Sequence, residues 1–136
     1  VLEVEVIGAR AGYERGISFA EVQELVALAL GSGGVEDGHV AVSFVEEERM
    51  REMNREHRGI DEPTDVLSFP IDGTDSAPAG PRELGDVVIC PPATEDLREA
   101  VLHGVLHLTG MDHEHDEGEM LALQAELMRW AGEEER

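Results

Sequence analysis

The segment from His103 to His113 carries three imidazoles at positions where a single metal ion can meet all of them. His103 and His107 stand four residues apart, so a helix stacks them one turn above the other on the same face. Gly110 is free to adopt the left-handed conformation that ends a helix, and the chain can then swing back to present His113. Three neutral histidines leave the fourth tetrahedral position of a zinc ion open. That is the arrangement of catalytic rather than structural sites, and it acidifies water to a pKa of about 7. Zinc is the first expectation from imidazole donors, and nickel or another divalent metal suits the same set. The chemistry expected is metal-assisted catalysis.

The spacing H-x-x-x-H-x-x-G-x-x-H is shared with the metzincin peptidases, whose general base is a Glu directly after the first His. Gly104 holds that position, so the site reads as built for something other than peptide hydrolysis. On an apolar helix each imidazole nitrogen needs its own partner, which favours ligation over two unrelated core histidines. His113 has the matching offset for the third ligand, and His115 or Asp116 would substitute if the turn differed. Asp112 is placed either to orient a ligand imidazole or to cap the last helix. Asp86 is a further candidate, as an orienting partner or weak base, against a structural role at a strand end. His39 and His57 are assigned to the surface or to structure.

Arg51, Arg55 and Arg58 share a face if their helix persists that far, and they make the only basic stripe in the chain. For Arg51 and Arg55 the expected role is pairing with Glu47, Glu48 and Glu52 at helical spacing.

These groups must be held by surrounding elements. Residues 1–7 alternate, with Leu2, Val4 and Val6 opposed by Glu3 and Glu5, as in a half-buried strand. Ser18 and Glu21 form a capping box with Ile17 and Val22 as its hydrophobic staple. The helix that follows runs to about Leu30, with Phe19, Val22, Leu25, Val26 and Ala29 inward and Gly31 as its stop. A strand is expected over 39–45 and a highly charged helix over 46–57, with a thin apolar stripe of Met50 and Met53. Pro63 and Pro70 bracket a short strand over 64–69, and the prolines suggest an edge position or a tight entry. Residues 70–83 are rich in Pro, Gly, Asp and Ser and read as a mobile loop. A buried strand follows over 84–90, and Thr94 caps a helix with Glu95 and Asp96 in its first turn. That helix is apolar nearly all round from Ala100 to Leu108, so it is central and buried. A last helix over roughly 116–131 buries Met120, Leu123, Leu127 and Trp130.

A chain of 136 residues without repeats or a long linker is the size of one domain, and residues 1–136 are read as a single unit. The expected class is α+β: a small mixed sheet of about four strands packed with helices, zincin-like, with the metal-bearing helix across the sheet. The net charge of −21, with ten basic residues that are all Arg, repels phosphate backbones and argues against non-specific nucleic-acid binding, so no DNA partner is expected. A local basic cleft remains compatible with it, because exposed charges beyond about 8 Å are largely screened. The single cysteine, Cys90, rules out an intrachain disulfide framework and reads as a small buried apolar side chain. No apolar run approaches the ~20 residues of a membrane span, and the first residues lack the layout of a signal peptide. A cytoplasmic protein with no membrane partner is expected.

The histidine segment does not stand alone. Met53-Asn-Arg-Glu-His-Arg58-Gly, Pro63-Thr-Asp-Val-Leu-Ser-Phe-Pro70 and Leu84-Gly-Asp-Val-Val-Ile-Cys90 precede it. In that order the four blocks resemble the YbeY family, over about residues 50 to 115. The resemblance implies a zinc-dependent, single-strand-specific endoribonuclease, a hydrolase of ribosomal RNA maturation and ribosome quality control. It implies His103, His107 and His113 as ligands and Arg58 as the functionally important arginine, suited to phosphate by its fork of donors. Met111 stands where the family usually has an aromatic, and Ile60 and Glu62 where it often has lysines. The lost positive charge bears on RNA affinity rather than on fold or metal.

Two other functions compete. A metzincin-like zinc peptidase is supported by the histidine spacing and opposed by Gly104. A non-catalytic ribosome-assembly factor, with a structural metal, fits the acidity, since a negative surface suits docking to basic ribosomal proteins, those of the small subunit included.

Overall fold

The computed structural model describes residues 2–72 and 82–134, with the side chains of 133 and 134 left out. Its elements run β1 (Leu2–Ile7), α1 (Ala9–Glu14), α2 (Phe19–Ser32), β2 (Gly38–Phe44), α3 (Glu47–Arg58), β3 (Val66–Pro70), β4 (Glu83–Ile89), a 3-10 turn (Pro91–Ala93), α4 (Leu97–Leu108) and α5 (Glu119–Glu134). The four strands form one mixed sheet in the order β1-β2-β4-β3. β1, β2 and β4 are parallel, and β3 pairs antiparallel with β4 at the edge, where a strand ending in Pro70 is tolerated. The expected α+β class and four-stranded sheet are what the chain forms.

The sheet is covered on both faces. Val87 and Ile89 of β4 join α2, α4 and α5 in the larger core, with Leu30, Leu102 and Leu106 at 1% exposure or less. Val88 points the other way and joins Met50, Leu67 and Cys90 beneath α3. Strand alternation thus sorts β4 between two cores. Cys90 is free and fully buried, as its apolar reading requires. Among the described residues no helix is long and apolar enough to cross a membrane.

Local signals explain most boundaries. Ser18 Oγ accepts the Glu21 N–H at 3.1 Å and the Glu21 carboxylate accepts the Ser18 N–H at 3.3 Å, completing the capping box of α2. Ile17 and Val22, the staple pair, are each 1% exposed. Ile17 fills the core space beneath the first turn, and Phe19 lies 47% exposed rather than inward. The helix runs past Gly31 and ends at Ser32 with Gly33 as its cap.

Asp96, not Thr94, caps α4, accepting the N–H groups of Arg98 and Glu99. Thr94 instead donates its hydroxyl to the Cys90 carbonyl at 2.7 Å and closes the 3-10 turn. This moves Glu95 and Asp96 out of the first turn, which holds Glu99. In α5 the inward stripe is Met120, Leu123, Gln124 and Leu127, continued by Ala131. Trp130 is 54% exposed, because a period of 3.6 residues carries the stripe to 131. Of the loop expected over 70–83, residues 71 and 72 extend the hairpin ladder onto Leu84 and Glu83, and 73–81 lie outside the described residues.

Candidate metal centre

α4 carries His103 and His107 on one face, and its C-terminus builds the turn that returns His113 to them. Gly110, at φ 98°, ends the helix in a Schellman motif. Its N–H donates to the His107 carbonyl at 3.0 Å, and the Met111 N–H donates to the Leu106 carbonyl at 3.3 Å. The turn beyond is organised by Asp112, whose carboxylate accepts the Glu114 N–H at 3.0 Å and His115 Nδ1–H at 2.6 Å. Its carbonyl accepts the N–H groups of His115 and Asp116. The three imidazoles then converge, with ring centroids 4.8, 5.1 and 5.4 Å apart. One nitrogen from each lies within 4.8 Å of the others, a group that could hold a metal ion.

Two of the rings are already oriented for ligation. His107 Nδ1–H donates to the Met111 carbonyl at 3.0 Å. A carbonyl only accepts, so this fixes the tautomer that leaves Nε2 bare. His103 Nδ1–H donates to Gln124 Oε1 at 2.8 Å. The two Nε2 atoms face each other at 3.2 Å. Two nitrogens bound to one tetrahedral zinc at about 2.0–2.1 Å would stand roughly 3.3 Å apart, so the pair matches that geometry. Burial first, and then the neighbouring His103, holds His107 below the ordinary histidine range, which keeps it neutral and able to ligate.

The alternatives for the third ligand are occupied elsewhere. His115 is exposed and held by Asp112, which also raises its pKa. Asp116 accepts the N–H groups of Gly118 and Met120 and so caps α5. Asp112 therefore neither orients a ligand ring nor caps the last helix; it shapes the turn that carries His113. Asp86 sits in the middle of β4 opposite Phe69, with its side chain on the α3 face by the alternation that sends Val87 toward α4. It is not part of the centre.

The histidines open into a cleft of about 630 Å³ along the outer edge of β3, lined also by His57, Arg58, Asp65, Val66 and Ser68. Ser68 Oγ donates to the Gly104 carbonyl at 2.8 Å and ties the edge strand to the histidine helix. Arg58 reaches this cleft from the last turn of α3, where Gly59 at φ 73° stops the helix. The other arginines of α3 are engaged. Arg51 makes a bidentate pair with Asp61 at 2.9 and 3.0 Å, Arg55 lies 3.8 Å from the same carboxylate, and Arg49 pairs with Glu52. Asp61, ten residues on in the turn, is the partner of Arg51, where helical spacing had pointed to Glu47, Glu48 and Glu52. Among the described residues Arg58 has no ion pair or hydrogen bond.

Two residues of the site gave no clear sign in the sequence. Gln124, 8% exposed, occupies an apolar-stripe position of α5, and a polar residue at such a position was the available signal. His57 is exposed as expected of a surface residue, yet it lines the cleft with its ring against Phe69, centroids 4.5 Å apart. His39 stays structural, between Glu5 and Glu83.

A family model described as Endoribonuclease YbeY matches residues 15–132. The chain belongs to the endoribonuclease YbeY family. Proteins with that name are similar to it in Bacillus cytotoxicus, at 40% identity over 128 residues covering 79% of this chain and 82% of the relative. In Rubrobacter xylanophilus the identity is 39% over 131 residues, covering 92% and 93%. A solution structure of a Thermotoga maritima protein shares the fold with TM-score 0.60 and 26% identity, over 96% of this chain and 90% of that one. Against the YbeY family background, Gly104 is the point at which the peptidase reading fails. A Cβ there would meet Val87 Cγ1, Val66 Cγ2 and Ser68 Oγ, so the position that bears the peptidase base is packed against the sheet.

Proposed function

We propose that this chain is a divalent-metal-dependent endoribonuclease acting on unpaired RNA in ribosomal RNA maturation and ribosome quality control, with residues 1–136 as one catalytic domain. His103, His107 and His113 are its ligands and zinc is its metal of first choice. Arg58 is its phosphate-binding group. The observation that carries this reading is the convergence of three imidazoles, two of them held by hydrogen bonds, with the one α3 arginine that has no acidic partner among the described residues.

An ion held by three imidazoles supplies Lewis acidity toward a phosphoryl oxygen and acidifies water. Arg58 offers its guanidinium fork to the non-bridging oxygens beside the scissile bond and offsets the charge that builds there. His57, its ring backed by Phe69, presents an aromatic face at the same cleft, on which an unpaired base can stack and a base held inside a duplex cannot. Asp65 is committed to the Val66 N–H at 2.8 Å, which leaves it structural. The acidity elsewhere on the chain repels RNA that does not enter the cleft. It also suits contact with basic proteins of the small ribosomal subunit in the cytoplasm.

The test pairs metal analysis of the purified protein with cleavage of an RNA hairpin bearing a single-stranded tail. Wild type is expected to carry one zinc per chain and to cut the tail. His107→Ala loses metal and cleavage together, and Arg58→Ala keeps metal while losing most cleavage. Metal-free His107→Ala that still cuts at the wild-type rate would overturn the reading. End-group analysis then separates the two attacks, since a ribose 2′-hydroxyl leaves a cyclic phosphate and water does not.

A further inference from the structure

Gln124 lies in the apolar stripe of α5 between Met120 and Leu127, 8% exposed. A Met or Leu would fill that place without burying an amide, and an amide buried there must find a partner. Its Oε1 takes the Nδ1–H of His103 at 2.8 Å, across 21 residues of chain. For His107 the equivalent acceptor is the Met111 carbonyl, a backbone group supplied by the Schellman turn. His103 has no such local acceptor, and its orientation rests on a side chain from another helix.

We propose that Gln124 is the positioning residue of the metal centre, holding His103 in the Nδ1–H tautomer so that its bare Nε2 faces that of His107, and thereby making the docking of α5 a condition of tight metal binding. The inference rests on the metal site proposed above. Without an acceptor at 124, the His103 proton moves to Nε2, the tautomer that free histidine favours in water. There it donates to His107 Nε2, 3.2 Å away. The two lone pairs meant for the ion are then consumed in a hydrogen bond between the ligands, and binding must first break it. Partners of this kind typically contribute 10–100-fold to metal affinity.

The experiment measures zinc affinity by competition with a chromophoric chelator for wild type, Gln124→Met, Gln124→Asn and Gln124→Glu. Met removes the acceptor at similar volume, Asn withdraws it by one methylene, and Glu restores it. Met and Asn are expected to bind zinc about 10–100-fold more weakly. Glu is expected to bind at least as tightly as wild type. Nitrogen-15 spectra of the metal-free proteins give a readout that a merely structural role would leave unmoved. His103 should be the Nδ1–H tautomer in wild type and Nε2–H in Gln124→Met, while His107 stays Nδ1–H in both. Zinc affinity unchanged in the Met and Asn variants, with His103 still Nδ1–H, would overturn the role of Gln124 and leave the metal site standing. A wild-type chain that binds no zinc would overturn both.

Discussion

Gly104 and Val87 are packed so closely that a Cβ on the glycine would lie 2.4 Å from Val87 Cγ1, closer than side chains approach one another. This contact lets the histidine helix press against β3 and β4 with the face that bears His103 and His107 turned to the cleft. Gly104→Ala is therefore expected to destabilise the protein although alanine is the better helix former. Overpacking costs about 1–3 kcal/mol and the propensity gain returns about 1 kcal/mol, for a net loss of up to about 2 kcal/mol in urea unfolding. Val87→Ala opens the space, so the double variant should lose less than the sum of the two single ones. Strict additivity would show that the contact does not set the spacing. Gly104→Glu should fail to yield a peptidase, because the carboxylate has no path to the cleft without displacing the sheet.

Arg51, Arg55 and Arg58 make a sharper test, because the three look alike in sequence and differ in the structure. Arg51 and Arg55 are taken by Asp61, and Arg58 is left to the cleft. Arg58→Ala is expected to lower kcat/KM on single-stranded RNA by about 10- to 100-fold, the range for loss of a charge-assisted contact. Arg58→Lys should recover only part of that, since an ammonium cannot reproduce a planar fork. Arg51→Ala should change it less than about threefold, as exposed ion pairs contribute little. Equal losses at 51 and 58 would mean that the stripe acts through its summed charge.

That His103, His107 and His113 would meet could be read from sequence because all three lie on one helix and the turn that ends it, where spacing dictates geometry. The same local logic exposed the capping box of α2 and the edge position of β3. What escaped was decided by distant contacts. Gln124 reaches His103 from another helix, and Asp61 draws Arg51 away from its helical neighbours. α1 escaped because its six residues include Gly12, whose value lies in letting the helix approach the Phe44 ring, a contact with no trace in periodicity. Phe19 and Trp130 failed for a related reason: each is apolar at the margin of a stripe, and Ile17 and Ala131 take the inward places.

His39 gives a pH dependence whose sign is fixed. It sits on β2 between Glu83 of β4, at 2.8 Å, and Glu5 of β1, at 3.3 Å. The hydrogen bond to Glu83 is the main reason its pKa is raised above 6.5, against an opposing contribution from burial. The folded chain then holds this proton more tightly than the unfolded chain does. The stabilisation is complete below about pH 6.5 and is lost as pH rises through the raised value. The stability difference between wild type and His39→Gln should shrink steadily as pH rises above about 6.5 in urea titrations. Taking the difference removes the parallel contribution of His115 with Asp112, which has the same sign. A gap that widens with pH would show that the neutral imidazole, and not its ion pairs, is what matters at this site.

His57 tests whether single-strand preference is built into the cleft. Its ring rests on Phe69 at a centroid distance of 4.5 Å with the planes tilted by 56°, a preformed platform that a base can extend. Platforms of this kind add about 1–3 kcal/mol per stacked base. His57→Ala should weaken binding of a single-stranded oligoribonucleotide by roughly 5- to 100-fold, leave zinc affinity unchanged, and leave the weak binding of a blunt duplex where it was. His57→Phe should restore binding, because stacking needs a ring and not a charge. The phenylalanine variant also separates this role from electrostatics: loss of binding in both variants, with recovery at low salt, would assign His57 to phosphate contact beside Arg58. Binding in the alanine variant equal to wild type would place the bases elsewhere along the β3 edge.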